Sequence, residues 1–312
     1  MAGFALVAIV AAVACDPPGP PQALTLLPVA APSYDVETRE VQLANDLVTV
    51  RLHIPPGGDP KKPTIISTMG DHAAFLARGW LVATYRINWE YLNPPLPPAA
   101  QAGEATVGKW ILASRSADVL GERYLRTIAI TANVAVPQIV GYLRTVPEVD
   151  ATRIAMVGAS TNGLVTLQAV TREPRITVAV AMAACGDYRK FLQYSSMGMD
   201  GAPLDLAPAY AQWLARQEPV RRPRRWLHAA VALVVRDGDR IIPIECADAT
   251  ADVVEPVYER AGRGDRFRYR VVHGTEHGLS QVESDEMMAW LDRWLAPGAS
   301  PNARHPPEAE RR

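Results

Sequence analysis

The chain has 312 residues, of which 48% are hydrophobic and 21% are charged. This is a globular composition, and it excludes a largely disordered chain while allowing one large domain with a buried core. The 32 lysines and arginines nearly balance the 33 aspartates and glutamates, so the net charge of −1 gives no global signal for nucleic-acid binding.

The first 15 residues have the pattern of an export signal. Residues 4–14 form an apolar run that is too short to span a bilayer, and small residues precede Cys15. This end resembles a bacterial lipobox, in which the cysteine is lipidated. An ordinary cleaved signal or a mis-assigned start codon would explain the same residues. We expect a signal over residues 1–15, a proline-rich tether over 16–33, lipidation at Cys15, and a periplasmic or cell-envelope protein anchored at the inner membrane.

The folded domain is expected over residues 34–295, and its first half opens with two partly alternating segments. These segments, 34–43 and 48–54, predict an antiparallel pair of strands. Short buried strands are then predicted at 64–68 and 81–85, with a short helix at 73–78 between them. Apolar residues at helical spacing predict a long helix over 117–143 that is kinked at Pro137.

The second half continues the alternation of strands and helices. Strands are predicted at 154–157, 177–183, 231–235 and 267–272, and helices at 164–171, 246–261 with a kink at Pro256, and 281–295. Residues 186–220, rich in aromatic residues and methionine, predict a small helical insertion over the strand ends. Residues 296–312 predict a disordered tail. The pattern as a whole predicts an α/β fold with a mostly parallel sheet of about eight strands, covered by helices on both faces.

One serine lies where such a fold exposes a nucleophile. Ser160 stands between the apolar strand at 154–157 and the helix at 164–171, with Gly158 before it and Gly163 after it. A sharp strand-to-helix turn of this kind presents a serine hydroxyl at the sheet edge, and small neighbours allow the strained backbone. The alternative is a serine that only caps the helix.

An acid and a histidine follow in the order that serine catalysis uses. A serine needs a base within hydrogen-bond reach, and the base needs a third group to orient it. His277 is the candidate base and Asp239 the candidate orienting acid, each just past the end of a predicted strand. Asp237 and His273 are the competing residues. Since the carboxyl ends of parallel strands meet at one edge of the sheet, the three candidates are expected there together.

These residues resemble the serine hydrolases of the α/β-hydrolase superfamily, in the dienelactone hydrolase and prolyl oligopeptidase branch. The resemblance covers roughly residues 45–296. It rests on the serine turn, on the aspartate four residues before Pro243, on the Gly-x-x-His-Gly segment at 274–278, and on residues 147–154 before the turn. It implies the α/β-hydrolase fold, a catalytic triad of Ser160, Asp239 and His277, and no cofactor.

The resemblance also implies an oxyanion hole of two backbone N–H donors. Thr161, directly after the serine, should supply one donor, and Asp71 or Met69 in the loop after the strand at 64–68 should supply the other. Asn162 departs from the family pattern, which has glycine there. Asparagine tolerates unusual backbone angles, and Gly163 offers relief one position later. A degraded, inactive hydrolase fold is the alternative interpretation.

Cys185 and Cys246 both follow predicted strand ends. A disulfide between them is permitted in an oxidising compartment, but two half-buried free thiols are the expected state. No cluster of His, Cys, Asp or Glu has metal-ligand spacing, so no metal site is predicted.

The sequence predicts a serine hydrolase that cleaves a small-molecule carboxylic ester through an acyl-enzyme. The aromatic residues of segment 186–220 favour an ester with an apolar group. A peptidase or amidase of the same fold and a non-catalytic binding lipoprotein are the alternatives. Partners are expected to be this substrate and, through Cys15, a membrane, but no nucleic acid.

Overall fold

A computed structural model describes residues 36–43, 47–69, 72–88 and 124–296 of the chain. The predictions for the signal at 1–15, the tether at 16–33 and the tail from residue 297 fall outside the described residues and stay predictions. Among the described residues, no helix combines the length and the apolar character needed to cross a membrane.

The described strands form one eight-stranded sheet in the order β1-β2-β4-β3-β5-β6-β7-β8. Their bounds are Glu37–Leu43 (β1), Val48–Ile54 (β2), Lys62–Ser67 (β3), Leu81–Ile87 (β4), Val149–Ala159 (β5), Val178–Met182 (β6), Ala230–Arg236 (β7) and Phe267–Val272 (β8). The β1–β2 and β2–β4 pairs are antiparallel. The pairs from β4 through β8 are parallel. The predicted mostly parallel sheet and antiparallel opening pair are therefore confirmed.

Helices cover the sheet on both faces. Their bounds are Ala73–Leu76 (α1), Arg126–Ile130 (α2), Val136–Leu143 (α3), Thr161–Val170 (α4), Tyr188–Tyr194 (α5), Pro208–Gln217 (α6), Ile244–Arg260 (α7) and Gln281–Leu295 (α8). Alternate residues of the central strands pack into two separate apolar clusters. In β7, Leu233 belongs to the cluster that holds α4 and α7, whereas Val234 belongs to the one that holds α1 and α8. Every residue of β6 and β7 is buried, as expected for strands with helices on both faces.

The two prolines predicted to kink helices lie in different surroundings. A π-helical turn, Thr131–Ala135, separates α2 from α3, and Pro137 follows it in the first turn of α3. Proline lacks a backbone N–H, and the wider turn before it accommodates the missing hydrogen bond. Pro256, in contrast, lies inside α7, which continues as one helix from Ile244 to Arg260.

Two helices lie between β6 and β7, in the segment predicted as a helical insertion. Tyr188 and Phe191 of α5 are fully buried in the main core. Tyr188 also donates a hydrogen bond to the Gln168 side chain at 2.9 Å. Tyr188 therefore links α5 to α4, and the Phe191 ring lies 6.0 Å from that of Tyr124. The abundance of aromatic residues in this segment suggested an open apolar pocket, but these two rings belong to the core.

Cys185 and Cys246 form a disulfide, so the expected pair of free thiols is wrong. Their Cα atoms are 5.6 Å apart, and both side chains are fully buried. Cys185 lies just past β6 and Cys246 in the first turn of α7, so parallel strands bring the two residues to the same sheet edge. The spacing along the sequence could not show this approach, because it depends on where α7 begins.

Replacing both cysteines by alanine should lower the free energy of unfolding by about 2–4 kcal/mol, because the cross-link closes a loop of 61 residues. Urea unfolding followed by circular dichroism, with and without dithiothreitol, measures this change. The reductant should destabilise the wild type and leave the double variant unaffected. Identical midpoints for reduced and oxidised wild type would contradict the disulfide.

Candidate active site

The serine turn joins β5 directly to α4. β5 ends at Ala159 and α4 begins at Thr161, so Ser160 alone makes the turn. Its backbone has φ 55° and ψ −124°, a region that residues with a side chain rarely adopt. The Ser160 N–H donates to the Met182 carbonyl of β6 at 3.0 Å, which holds the turn against the sheet. A strained residue that the surrounding structure holds in place is typical of a functional position.

Two glycines make room for this turn. A Cβ added at Gly158 would lie 2.3 Å from the Asn162 carbonyl oxygen. A Cβ added at Gly163 would lie 2.7 Å from both the Met182 carbonyl oxygen and the Ala184 Cβ. Each distance is far below a normal van der Waals contact, so neither position accepts a side chain without displacing backbone.

Asn162, which stands where the resemblance implies glycine, has hydrogen-bond partners for both of its oxygens. Its Oδ1 accepts a hydrogen bond from the Tyr85 hydroxyl at 3.3 Å, and its backbone carbonyl accepts one from Thr166 Oγ1 at 2.7 Å. One position later, Gly163 leaves no room for a side chain against the Met182 carbonyl of β6. Asparagine at this position therefore leaves the turn intact.

The structure brings the three sequence-predicted side chains into one chain of hydrogen bonds. His277 Nε2 lies 2.8 Å from Ser160 Oγ, and His277 Nδ1 lies 2.7 Å from Asp239 Oδ2. An ionised carboxylate only accepts, so Nδ1 carries the proton, which leaves Nε2 to accept the serine proton. The other carboxylate oxygen, Asp239 Oδ1, accepts from the N–H groups of Ile241 at 2.8 Å and Ile242 at 3.1 Å.

The competing residues form a second aspartate–histidine pair beside the first. His273 Nδ1 lies 2.8 Å from Asp237 Oδ2, and this hydrogen bond raises the pKa of His273. The His273 side chain is 96% exposed, whereas that of His277 is 13% exposed and that of Asp239 is 1% exposed. Only the shielded pair meets the serine, so the choice of Asp239 and His277 over their neighbours agrees with the geometry.

The residues proposed for the oxyanion hole differ in what the structure shows. Thr161 is the first residue of α4, so its N–H has no acceptor within the helix and lies next to the serine. The Met69 N–H donates to Ser67 Oγ at 3.1 Å and is therefore occupied. Asp71 falls outside the described residues, so its assignment stays a prediction.

The sequence-based reasoning missed two tyrosines that contact the turn. The hydroxyl of Tyr85, in β4, donates to the Asn162 side chain. The Tyr124 hydroxyl shares a hydrogen bond of 2.8 Å with Thr161 Oγ1. Burial raises the pKa of Tyr124 to about 12, although the Thr161 contact opposes the shift, so the phenol stays protonated near neutral pH. No local pattern marks either residue, because each reaches the turn from a distant element.

Among the described residues, no group of three or more His, Cys, Asp or Glu side chains could hold a metal ion. No protein-family model matches the sequence, and no curated protein matches it significantly.

Solved structures share the fold of this chain. An acetyl xylan esterase from Paenibacillus sp. R4 aligns with a TM-score of 0.55 at 14% identity, over 83% of this chain and 88% of its own. This chain has the α/β-hydrolase fold. A puromycin-hydrolyzing peptidase of Mycobacterium tuberculosis aligns with a TM-score of 0.56 at 16% identity over 87% of this chain, and an acylaminoacyl peptidase of Pyrococcus horikoshii with 0.56 at 15% over 83%. The chain spans 41% and 42% of the length of these two peptidases.

Asn162 and Gly163, two and three positions after the serine, should respond differently to substitution. Gly163→Ala should lower the free energy of unfolding by about 1–3 kcal/mol, because the added methyl meets the Met182 carbonyl and Ala184. Asn162→Gly should cost about 1 kcal/mol, because the Tyr85 hydroxyl loses its acceptor and glycine is a slightly poorer helix former. Chemical denaturation of both variants measures these changes. A Gly163→Ala protein as stable as the wild type would show that the turn is not tightly packed.

Proposed function

We propose that the protein is a serine hydrolase that cleaves carboxylic esters through an acyl-enzyme. The single observation that carries this proposal is the hydrogen-bond chain from Ser160 through His277 to Asp239. Capping a helix does not require a histidine at hydrogen-bond distance from the serine or a buried carboxylate behind that histidine. The α/β-hydrolase fold, with the three residues on one edge of the sheet, supports the same conclusion.

The first half of the proposed reaction forms an ester bond to the enzyme. Ser160 Oγ attacks the substrate carbonyl carbon while its proton passes to His277 Nε2. The carbonyl oxygen becomes an oxyanion, and we expect the Thr161 N–H at the start of α4 to stabilise it. Collapse of the tetrahedral intermediate breaks the ester C–O bond, and His277 gives its proton to the departing alkoxide. The alcohol leaves and the acyl group stays on Ser160.

The second half repeats these steps with water. His277 Nε2 takes a proton from water, whose oxygen attacks the acyl carbon. The intermediate collapses, Ser160 Oγ leaves and recovers its proton from the imidazole, and the carboxylic acid departs. Asp239 orients the ring throughout: one of its oxygens accepts from His277, and the other accepts from two backbone N–H groups that hold the carboxylate in place.

The side chains that border the turn support an apolar acyl or alcohol group. Tyr85 and Tyr124 contact the two residues that follow Ser160, and both are only partly buried. Met69, also partly buried, follows β3, whose Ser67 pairs with Val157 of β5. Aromatic and thioether groups around a serine favour binding of apolar groups. Amide cleavage is the second candidate, since solved structures of similar fold include peptidases.

A fluorophosphonate probe should label the wild type and fail to label Ser160→Ala. Asp239→Asn should label at least about 10²-fold more slowly, because it disturbs the orientation of His277. Asp237→Asn, in the exposed pair, is the matched control and should label at the wild-type rate. A panel of 4-nitrophenyl esters and peptide anilides then compares ester with amide cleavage. A folded wild type that the probe does not label would contradict the hydrolase proposal and favour a non-catalytic fold.

A further inference from the structure

A buried ion pair lies behind the loop that carries His277. Arg236 is the last residue of β7, and Glu283 lies in the first turn of α8. Both carboxylate oxygens of Glu283 accept from the guanidinium group, with Nη2 and Oε2 3.2 Å apart. The two residues are only 8% and 2% exposed. Neither takes part in the steps of the proposed reaction, so their burial has another reason.

Hydrogen bonds compensate the burial of the Glu283 carboxylate. Burial alone would raise the pKa of Glu283, but hydrogen bonds from Arg236 and from Ser280 outweigh it and lower the pKa to about 2. Ser280 contributes both its backbone N–H, at 2.7 Å, and its hydroxyl to Glu283 Oε2. The pair is thus a charged anchor that also caps the start of α8.

The guanidinium group has a third bond, and this one leads to the histidine. Arg236 Nη1 donates to the Glu276 backbone carbonyl at 3.1 Å. That carbonyl belongs to the peptide bond that enters His277. Arg236 therefore fixes the orientation of the peptide immediately before the candidate base, from a strand end three residues before Asp239.

The surrounding loops pack closely on this arginine. Residues 273–280, which carry His277 and are called the histidine loop, pass directly over the arginine side chain. A Cβ added at Gly274 in this loop would lie 3.4 Å from Arg236 Cδ. A Cβ added at Gly238 would lie 2.9 Å from Thr275 Cγ2, and the Gly238 N–H donates to the Gly274 carbonyl at 3.0 Å. Residues 237–243, which carry Asp239 and are called the acid loop, are thus in direct contact with the histidine loop.

We infer that Arg236, held by Glu283, is a positioning residue that sets the orientation of His277 between Ser160 and Asp239. This inference rests on the proposed function, since it assigns the ion pair a role in that reaction. The imidazole must align with two partners at once, and its ring direction depends on the backbone that carries it. A misplacement of about 1 Å can cost about 10²-fold in rate, which makes a rigid anchor at Glu276 consequential.

Arg153 offers a matched control at the other end of α8. It also pairs with a carboxylate, Asp150, at 2.6 Å, and donates to a backbone carbonyl, that of Leu295, at 3.3 Å. Its side chain is 13% exposed, close to the 9% of Arg236. Both arginines tie a strand to α8, but only Arg236 lies beside the histidine loop.

The experiment measures kcat and KM for 4-nitrophenyl butyrate in the wild type, Arg236→Met, Arg236→Lys and Arg153→Met. We expect kcat of Arg236→Met to fall about 10- to 100-fold with little change in KM, because substrate binding does not involve the ion pair. Arg236→Lys, which keeps the charge but not the fork of donors, should recover part of the loss. Arg153→Met should lower the melting temperature and leave kcat at the wild-type value.

A kcat of Arg236→Met equal to that of Arg153→Met would overturn the positioning role. If Arg236→Met does not fold, Arg236→Lys decides: it should still lose kcat without a change in KM, and an unchanged kcat refutes the inference. A wild type that cleaves no ester overturns the proposed function instead. The inference is then tested by the NMR signal of the His277 Nδ1 proton. The signal should persist in the wild type and Arg153→Met and disappear in Arg236→Met, and its persistence there would refute the inference.

Discussion

The contact between Ser160 and His277 depends on the parallel pairing of β5, β6, β7 and β8. In a parallel sheet every strand ends at the same edge, so residues that follow different strands meet although 117 positions separate the serine from the histidine. The antiparallel β1 and β2 lie at one end of the strand order, beyond β4. Apolar strands that are buried on both faces hold the edge in place.

Several residues with unusual backbone, or with no room for a side chain, lie at this edge. Ser160 adopts a left-handed conformation, and Gly158 and Gly163 let β5 and α4 approach around it. Gly238 plays a comparable part between the acid loop and the histidine loop. Two close approaches, each possible only without a side chain, therefore bring the nucleophile and its base to the same place. The energetic cost of the strained serine is offset by the packing of the helices and strands around it.

The local patterns that carried the sequence-based predictions were those with a short-range physical cause. Apolar periodicity located the eight strands, and β8 and α8 have the predicted bounds. The glycine spacing and the order of serine, acid and histidine identified Ser160, Asp239 and His277, whose side chains the structure brings together.

Features that depend on tertiary contacts were not predictable in the same way. The disulfide of Cys185 with Cys246 and the tyrosine contacts to the serine turn join distant elements. The role of Arg236 was also hidden, although one half of its arrangement was visible: Ser280 and Glu283 have the spacing of a helix capping box. An arginine at the end of an apolar strand opposite such a box is a signal worth seeking in related sequences.

The central claim is that Ser160 and His277 act as one catalytic unit. The rates of 4-nitrophenyl butyrate hydrolysis by Ser160→Ala, His277→Ala and the double variant test it most directly. Each single substitution should reduce kcat by at least about 10³-fold, and the double variant should be no slower than the slower single variant, because either change already disables the unit. If the two losses multiply in the double variant, the residues act independently and the account is wrong.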